Sequence, residues 1–194
     1  RQKTDIFTAA HLQTARDIAA ETFVLLKNDR QLLPLSKQGK IALIGPLADT
    51  RSNMSGTWSV AATPDRYSSL RESMEKALEG KATLLYAQGC NVVYDEQEQK
   101  DGELGKTIAR GDDAQMEAEA LEVARQADVI VCAMGETADM SGECASRTDL
   151  RMPDAQRHLL AQLARTGKPV VLLNFSGRPT VLAWEQEHLP AIMN

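Results

Sequence analysis

The feature that most constrains this chain is a rhythm that begins at Lys40, where short apolar runs alternate with longer stretches of helical character. The apolar runs are Ile41–Ile44, Thr83–Tyr86, Val129–Met134 and Val170–Leu173, and the stretches between them are Leu70–Leu78, Gln115–Gln126 and Ala155–Arg165. A strand that is apolar at successive positions is buried on both faces, and parallel neighbours require a crossover, usually a helix. The pattern therefore predicts an α/β fold: a three-layer α/β/α sandwich on a mostly parallel, doubly wound sheet. Gly45-Pro46, Gly135 and Ser176-Gly177 punctuate strand ends, while Gly167-Lys168-Pro169 stops one helix and launches the next strand.

Upstream of this rhythm lies a leader. Leu12, Ala15, Ile18 and Ala19 share one face of a predicted amphipathic helix over residues 8–21, with Thr8 as its N-cap. Phe23–Lys27 reads as a strand, Asn28-Asp29-Arg30 as a turn and Leu32–Leu35 as a short return, the whole packed against the core. The expected organisation is a linker helix and strand pair over residues 1–36, then a sandwich domain over 37–194. Because Arg1 is not a natural start and Asn194 follows the strand-like Pro190-Ala-Ile-Met, the chain reads as a piece of a longer protein, truncated at its C-terminus.

Several function classes fail on charge and spacing. Lys plus Arg number 22 against 27 Asp plus Glu, a net charge of −5 with no basic stripe, so nucleic acid is not an expected partner. The longest apolar run, Val129–Met134, is far too short to span a bilayer, so no membrane partner is expected. No GxGxxG or GxxxxGK[ST] motif follows the first strand, and no GxSxG elbow occurs. His11, His158 and His188 have no partner at metal-ligand spacing, and Cys90, Cys132 and Cys144 form no CxxC pair, so neither a metal nor a cofactor is expected.

Two connections are too long for plain crossovers, where about 2 to 6 residues is usual. They run from Pro46 to Pro64 and from Gly135 to Pro153, each after the carboxyl end of a predicted strand. If the strand order is the flavodoxin-like 2-1-3-4-5, these loops flank the crevice where the order reverses, which is where open α/β sheets bind ligands. The second loop holds Glu136, Asp139, Glu143, Arg147, Asp149 and Arg151. Glu143, between Gly142 and Cys144, is the candidate general acid/base; the competing reading is a solvated loop whose surface pairs contribute little. Trp58, in Gly56-Thr-Trp-Ser, is either a platform for the apolar face of a sugar ring or a lid folded over the helix tops. Trp184 reads as core. A third long connection, Asn91–Gly111, is acidic and reads as a solvated insertion, since it lacks the spacing and closing Glu of a calcium loop. A binding module and a flavodoxin-like cofactor domain compete with the acid/base reading.

Several stretches in order carry a resemblance: Ala15-Arg-Asp-Ile-Ala-Ala-Glu-Thr-Phe-Val-Leu-Leu-Lys-Asn28, Leu32-Leu-Pro-Leu35, Ile41-Ala-Leu-Ile-Gly-Pro46, Gly56-Thr-Trp-Ser59, Gly135-Glu136 through Ser141-Gly-Glu143 to Arg147-Thr-Asp-Leu150, and Ser176-Gly-Arg-Pro179. Together they resemble family 3 glycoside hydrolases, in particular periplasmic β-glucosidases. The resemblance implies that an N-terminal (β/α)8 barrel of the same protein carries an Asp nucleophile and that this chain is the sandwich domain following it. It also implies that Glu143 is the general acid/base, with Glu136 as runner-up. Trp58 then stacks on the sugar at the leaving-group subsite, and Arg147 and Asp149 belong to substrate binding by holding the loop. The implied substrate is an oligosaccharide or β-glucoside, the implied location periplasmic or secreted, and the implied chemistry needs no cofactor. Retaining hydrolysis requires two carboxyl groups about 5 to 5.5 Å apart. With one of them on the barrel, this chain is expected to be inactive alone.

Overall fold

The computed structural model describes residues 7–59, 62–102 and 107–194. The chain opens with α1 (Ala9–Thr22), whose N-cap Thr8 accepts a hydrogen bond from the His11 amide as its sequence predicts. Strand β1 (Leu25–Asn28) leads through a 3-10 turn at Asp29–Gln31 to β2 (Lys40–Ile44). Then come α2 (Leu70–Leu78), β3 (Thr83–Ala87), α3 (Glu96–Asp101), α4 (Asp113–Gln126) and β4 (Val129–Gly135). The chain continues with α5 (Asp154–Ala164), β5 (Val170–Phe175), α6 (Ala183–His188) and β6 (Ala191–Met193).

The strands form one sheet in the order β1-β6-β5-β4-β2-β3, parallel throughout except for β1, which runs antiparallel to β6. Counted from β2, the parallel part has the expected order 2-1-3-4-5. Its reversal falls between β2 and β4, which pair in register from Ile41 with Val129 to Ile44 with Cys132.

Alternate residues of each strand enter opposite layers, as the pleat requires. Ala42, Ile44, Ile130, Cys132, Val170 and Leu172 face α4 and α5, meeting Ala120, Ala124, Leu159, Leu160 and Leu163. Trp184 packs half-buried on this layer, its indole stacked on the His188 ring with centroids 4.5 Å apart. Ile41, Leu43, Val131, Ala133 and Val171 face the other way, against Leu70, Met74 and Leu78 of α2.

The leader departs from expectation in two ways. Leu32–Leu35 forms no return strand. The Asn28 side chain brackets Leu33, donating to its carbonyl at 2.9 Å and accepting from its amide at 2.8 Å, and so turns the backbone away from β1. Leu32, Leu33 and Leu35 pack instead as side chains on the α2 layer, and β1 finds its partner in β6. Moreover, α1 buries none of its residues, so Leu12 and Ile18 lie exposed; only the later part of the leader packs on the core.

The acidic connection after β3 is also more than a solvated insertion. Val92, Val93 and Ile108 close with Leu47 into a third, smaller core. Gln99 is buried beneath it, and Arg110 donates to the Val93 carbonyl at 3.0 Å and to Gln99 at 2.8 Å. Among its described acidic residues, Asp95 caps α3 by accepting from the Glu98 amide, Glu96 pairs with Lys100 and Asp101 accepts from Gln97. Among the described residues no three His, Cys, Asp or Glu side chains converge as metal ligands.

Candidate functional site

Both long loops leave the carboxyl edge of the sheet through a glycine that no other residue replaces without strain. Gly45 (φ 137°) and Gly135 (φ 134°) lie in the left-handed half of backbone space. A Cβ on Gly45 would strike the Ala133 carbonyl oxygen, and one on Gly135 the Phe175 carbonyl oxygen. Each strand end therefore passes tightly against its neighbour, which fixes where the loops begin.

The first loop is then stitched to the second. Asn53, buried at the start of the first loop's tip, accepts from the Ala138 amide at 2.6 Å. The Thr57 hydroxyl lies against the carbonyl oxygens of Ala138 and Ser141, the latter at 2.8 Å. Gly142 (φ 105°) lies so close that a Cβ there would meet Thr57 Cγ2 at 2.7 Å. Trp58 follows Thr57 directly and is 70% exposed, so it is not a lid folded onto the helices.

Glu143 follows Gly142 on the other side of this seam. Its side chain is exposed and makes no hydrogen bond or ion pair among the described residues. It lines a cleft of about 500 Å³ with Gly56, Thr57, Asp139 and Tyr67. An adjoining cleft of about 290 Å³ holds Trp58, Glu136, Ser141 and Gly177 and shares Gly56, Thr57 and Ala138 with the first. Glu143 and Trp58 thus stand on one rim of the sheet, either side of one hydrogen-bonded seam.

Glu136 has a different environment. Its side chain is 1% exposed, with Arg147 Nε 3.2 Å from Oε1 and Arg178 Nε 3.2 Å from Oε2. A carboxylate removed from water in this way needs such partners: Oε2 accepts a hydrogen bond from Arg178, whereas Oε1, beside Arg147, has an opposite charge nearby but no hydrogen-bond donor among the described residues. Arg147 therefore faces Glu136, touching Asp149 only through the backbone carbonyl at 3.3 Å. The Asp149 carboxylate turns to Arg151, whose Nε donates to both oxygens at 2.9 Å; this exposed pairing holds its pKa well below the usual range. The predicted pair at 147 and 149 is split between two partners, and neither side chain reaches the rim between Trp58 and Glu143.

Arg178 and Gln156 were not singled out in the sequence. Arg178 lies within Ser176-Gly-Arg-Pro179, a stretch with nothing local to show its ion partner. Gln156 is fully buried. It accepts from the Gly135 amide at 2.7 Å and donates to the Gly135 and Val92 carbonyls at 2.9 and 3.0 Å, pinning the end of β4. The signal that finds it is helical spacing, since Gln156 shares the apolar stripe of Leu159, Leu160 and Leu163. Burial pushes the Cys90 and Cys132 thiols far up from their ordinary pKa, which leaves them inert; Cys144 is exposed.

Fold and rim define a doubly wound α/β domain whose two long loops meet at its topological switch point, carrying the exposed Glu143 carboxylate and the exposed Trp58 indole. Residues 23–194 match the model of the Glycosyl hydrolase family 3 C-terminal domain, and the chain belongs to that family. It is 37% identical over 193 residues to a periplasmic beta-glucosidase of Salmonella typhimurium, covering 98% of this chain and 25% of the relative. It is 29% identical over 192 residues to a beta-xylosidase of Formosa agariphila, covering 96% and 24%. Among solved structures, the beta-glucosidase of Listeria innocua in complex with isofagomine superposes with a TM-score of 0.79 at 28% identity, over 99% of this chain and 24% of that one. The chain thus spans about a quarter of the length of the relatives it matches.

Proposed function

We propose that this domain is part of a retaining, exo-acting β-glucosidase that removes terminal β-D-glucosyl residues in the periplasm or outside the cell. In this reading the Asp nucleophile resides on a (β/α)8 barrel of the same protein, and the loop edge of the sandwich closes over the sugar. The observation that carries it is the free Glu143 carboxyl on the same rim as the exposed Trp58, their loops joined at Thr57. The choice of a glucosyl residue is supported by the names of the Salmonella typhimurium and Listeria innocua beta-glucosidases, a beta-xylosidase standing beside them among the relatives.

The chemistry follows from that pairing. Glu143 protonates the departing glycosidic oxygen while the nucleophile attacks the anomeric carbon. The resulting Glu143 carboxylate then takes a proton from the water that releases the sugar. Trp58 offers its face to the sugar on the leaving-group side, where apolar C–H surface and ring stack. Arg147 and Asp149 serve binding indirectly, as holders of the loop. Glu136, buried between the Arg147 and Arg178 charges, is the second choice for proton donor.

The test is Glu143→Gln in the full-length protein, read as kcat/KM on two leaving groups. An alkyl β-glucoside, which needs the proton, is expected to slow about 100- to 10,000-fold, and a dinitrophenyl β-glucoside far less. Equal losses on both would move the donor role, with Glu136→Gln next. Full activity would favour a non-catalytic carbohydrate-binding module.

A further inference from the structure

We infer that Arg178 is a positioning residue that sets the proton-donor loop, an inference that rests on the reading of Glu143 as general acid. Its guanidinium addresses three groups at once. Nε donates to Glu136 Oε2 at 3.2 Å, and Nη2 donates to the Ala145 carbonyl at 2.8 Å and to the Met140 carbonyl. Met140 and Ala145 bracket Glu143, so one side chain ties down the loop just before and just after the carboxylate.

The bracketed segment needs that restraint. Gly142 has φ 105° and Cys144 φ 60°, so the backbone on each side of Glu143 lies in left-handed space, once with a residue that pays a steric penalty there. Arg178 is itself fixed. Its amide donates to Ser176 Oγ at 3.1 Å, and Gly177 lies so near Ser141 Oγ that a Cβ would collide with it. Glu136 is anchored by its amide on the Phe175 carbonyl at 2.8 Å and by Arg147 from its other side. The restraint therefore runs from the rigid end of β5 through Arg178 to the Glu143 loop. Only a planar fork of donors spans a carboxylate and two carbonyls together; a lysine ammonium, a point charge on a flexible stem, keeps the charge and loses the span.

A displaced proton donor harms substrates in proportion to their need for the proton, whereas general loosening harms all alike. In the full-length protein, Arg178→Lys is expected to lower kcat/KM for an alkyl β-glucoside about 10- to 100-fold, the scale of an ångström-sized misplacement, and for a dinitrophenyl β-glucoside by less than about threefold. In a Glu143→Gln background it is expected to add nothing to the leaving-group ratio, because both changes act through one proton. Arg178→Gln is the second variant, and folding of each is checked by thermal unfolding. Equal losses on both substrates, or none, overturn the proposal and leave the acid reading intact if Glu143→Gln alone is leaving-group dependent. If Glu143→Gln is not, the acid reading fails and this one with it. Failure of both Arg178 variants to fold assigns the residue to stability and also overturns the positioning role.

Discussion

Replacing Gln156 tests how the end of β4, and with it the loop carrying Glu143, is held. Gln156→Met keeps the length of the side chain and its place on the buried stripe of α5 while removing every polar atom. Three backbone groups then lose their partner: the Gly135 amide, the Gly135 carbonyl and the Val92 carbonyl, bonded at 2.7, 2.9 and 3.0 Å around a residue with 0% exposure. A buried polar group left unmade costs about 1–3 kcal/mol. With relaxation around neighbouring groups the sum is expected to be about 3–5 kcal/mol. At about 2–4 °C per kcal/mol for a domain of this size, Tm falls by about 6–20 °C. Urea and thermal unfolding followed by circular dichroism measure this, with an unchanged m-value showing that stability and not compactness has moved. Gln126→Met, on the exposed face of α4, is the control and is expected to change stability by less than about 0.5 kcal/mol. A Gln156→Met protein within about 1 kcal/mol of the parent would refute the argument that these three bonds fix the strand end.

Trp58→Ala in the full-length protein is expected to leave Tm unchanged, because the indole is 70% exposed, and to weaken kcat/KM for a disaccharide roughly 5- to 30-fold, with Trp58→Phe restoring most of it; steady-state kinetics with both variants decide this. The 194-residue chain alone is expected to fold by circular dichroism yet turn over no aryl β-glucoside, since retaining hydrolysis needs a second carboxyl; measurable turnover would refute the two-domain site. At the foot of the Trp58 loop, the Arg51 guanidinium and the Ser69 amide lower the Glu72 pKa from its ordinary 4.5 to about 2. A lowered carboxyl stabilises the fold above its ordinary pKa and loses that contribution as pH falls through about 2, so acid melting should show a modest, salt-weakened loss over that window that Glu72→Gln removes.

How much of this was legible beforehand varies by element, for physical reasons. The strands at Ile41–Ile44, Val129 and Val170 announce themselves because a doubly covered strand must be apolar at every position. Leu70–Leu78 begins and ends where its pattern says, with Ser69 and Glu72 forming a capping box. Phe23–Lys27 is recognisable as a strand, but its partner is not, since an edge strand pairs with whichever edge is open, and that edge belongs to β6 at the far end of the chain. The candidate site divides the same way. Glu143 and Trp58 stand out as a carboxylate among small residues and an indole in a polar loop. The fates of Arg147 and Asp149 are invisible locally, because each guanidinium or carboxylate takes the nearest opposite charge in space.

The sequence by itself determined a parallel, doubly covered sheet and the two long loops at its carboxyl edge, because apolar periodicity and glycine punctuation are properties of neighbouring residues. Tertiary structure alone decided which carboxylate stays free. Glu136 and Glu143 are seven residues apart on one loop, yet one is clamped between Arg147 and Arg178 and the other is left at the rim. That choice depends on Arg178 arriving from the end of β5, a meeting that only the folded sheet arranges.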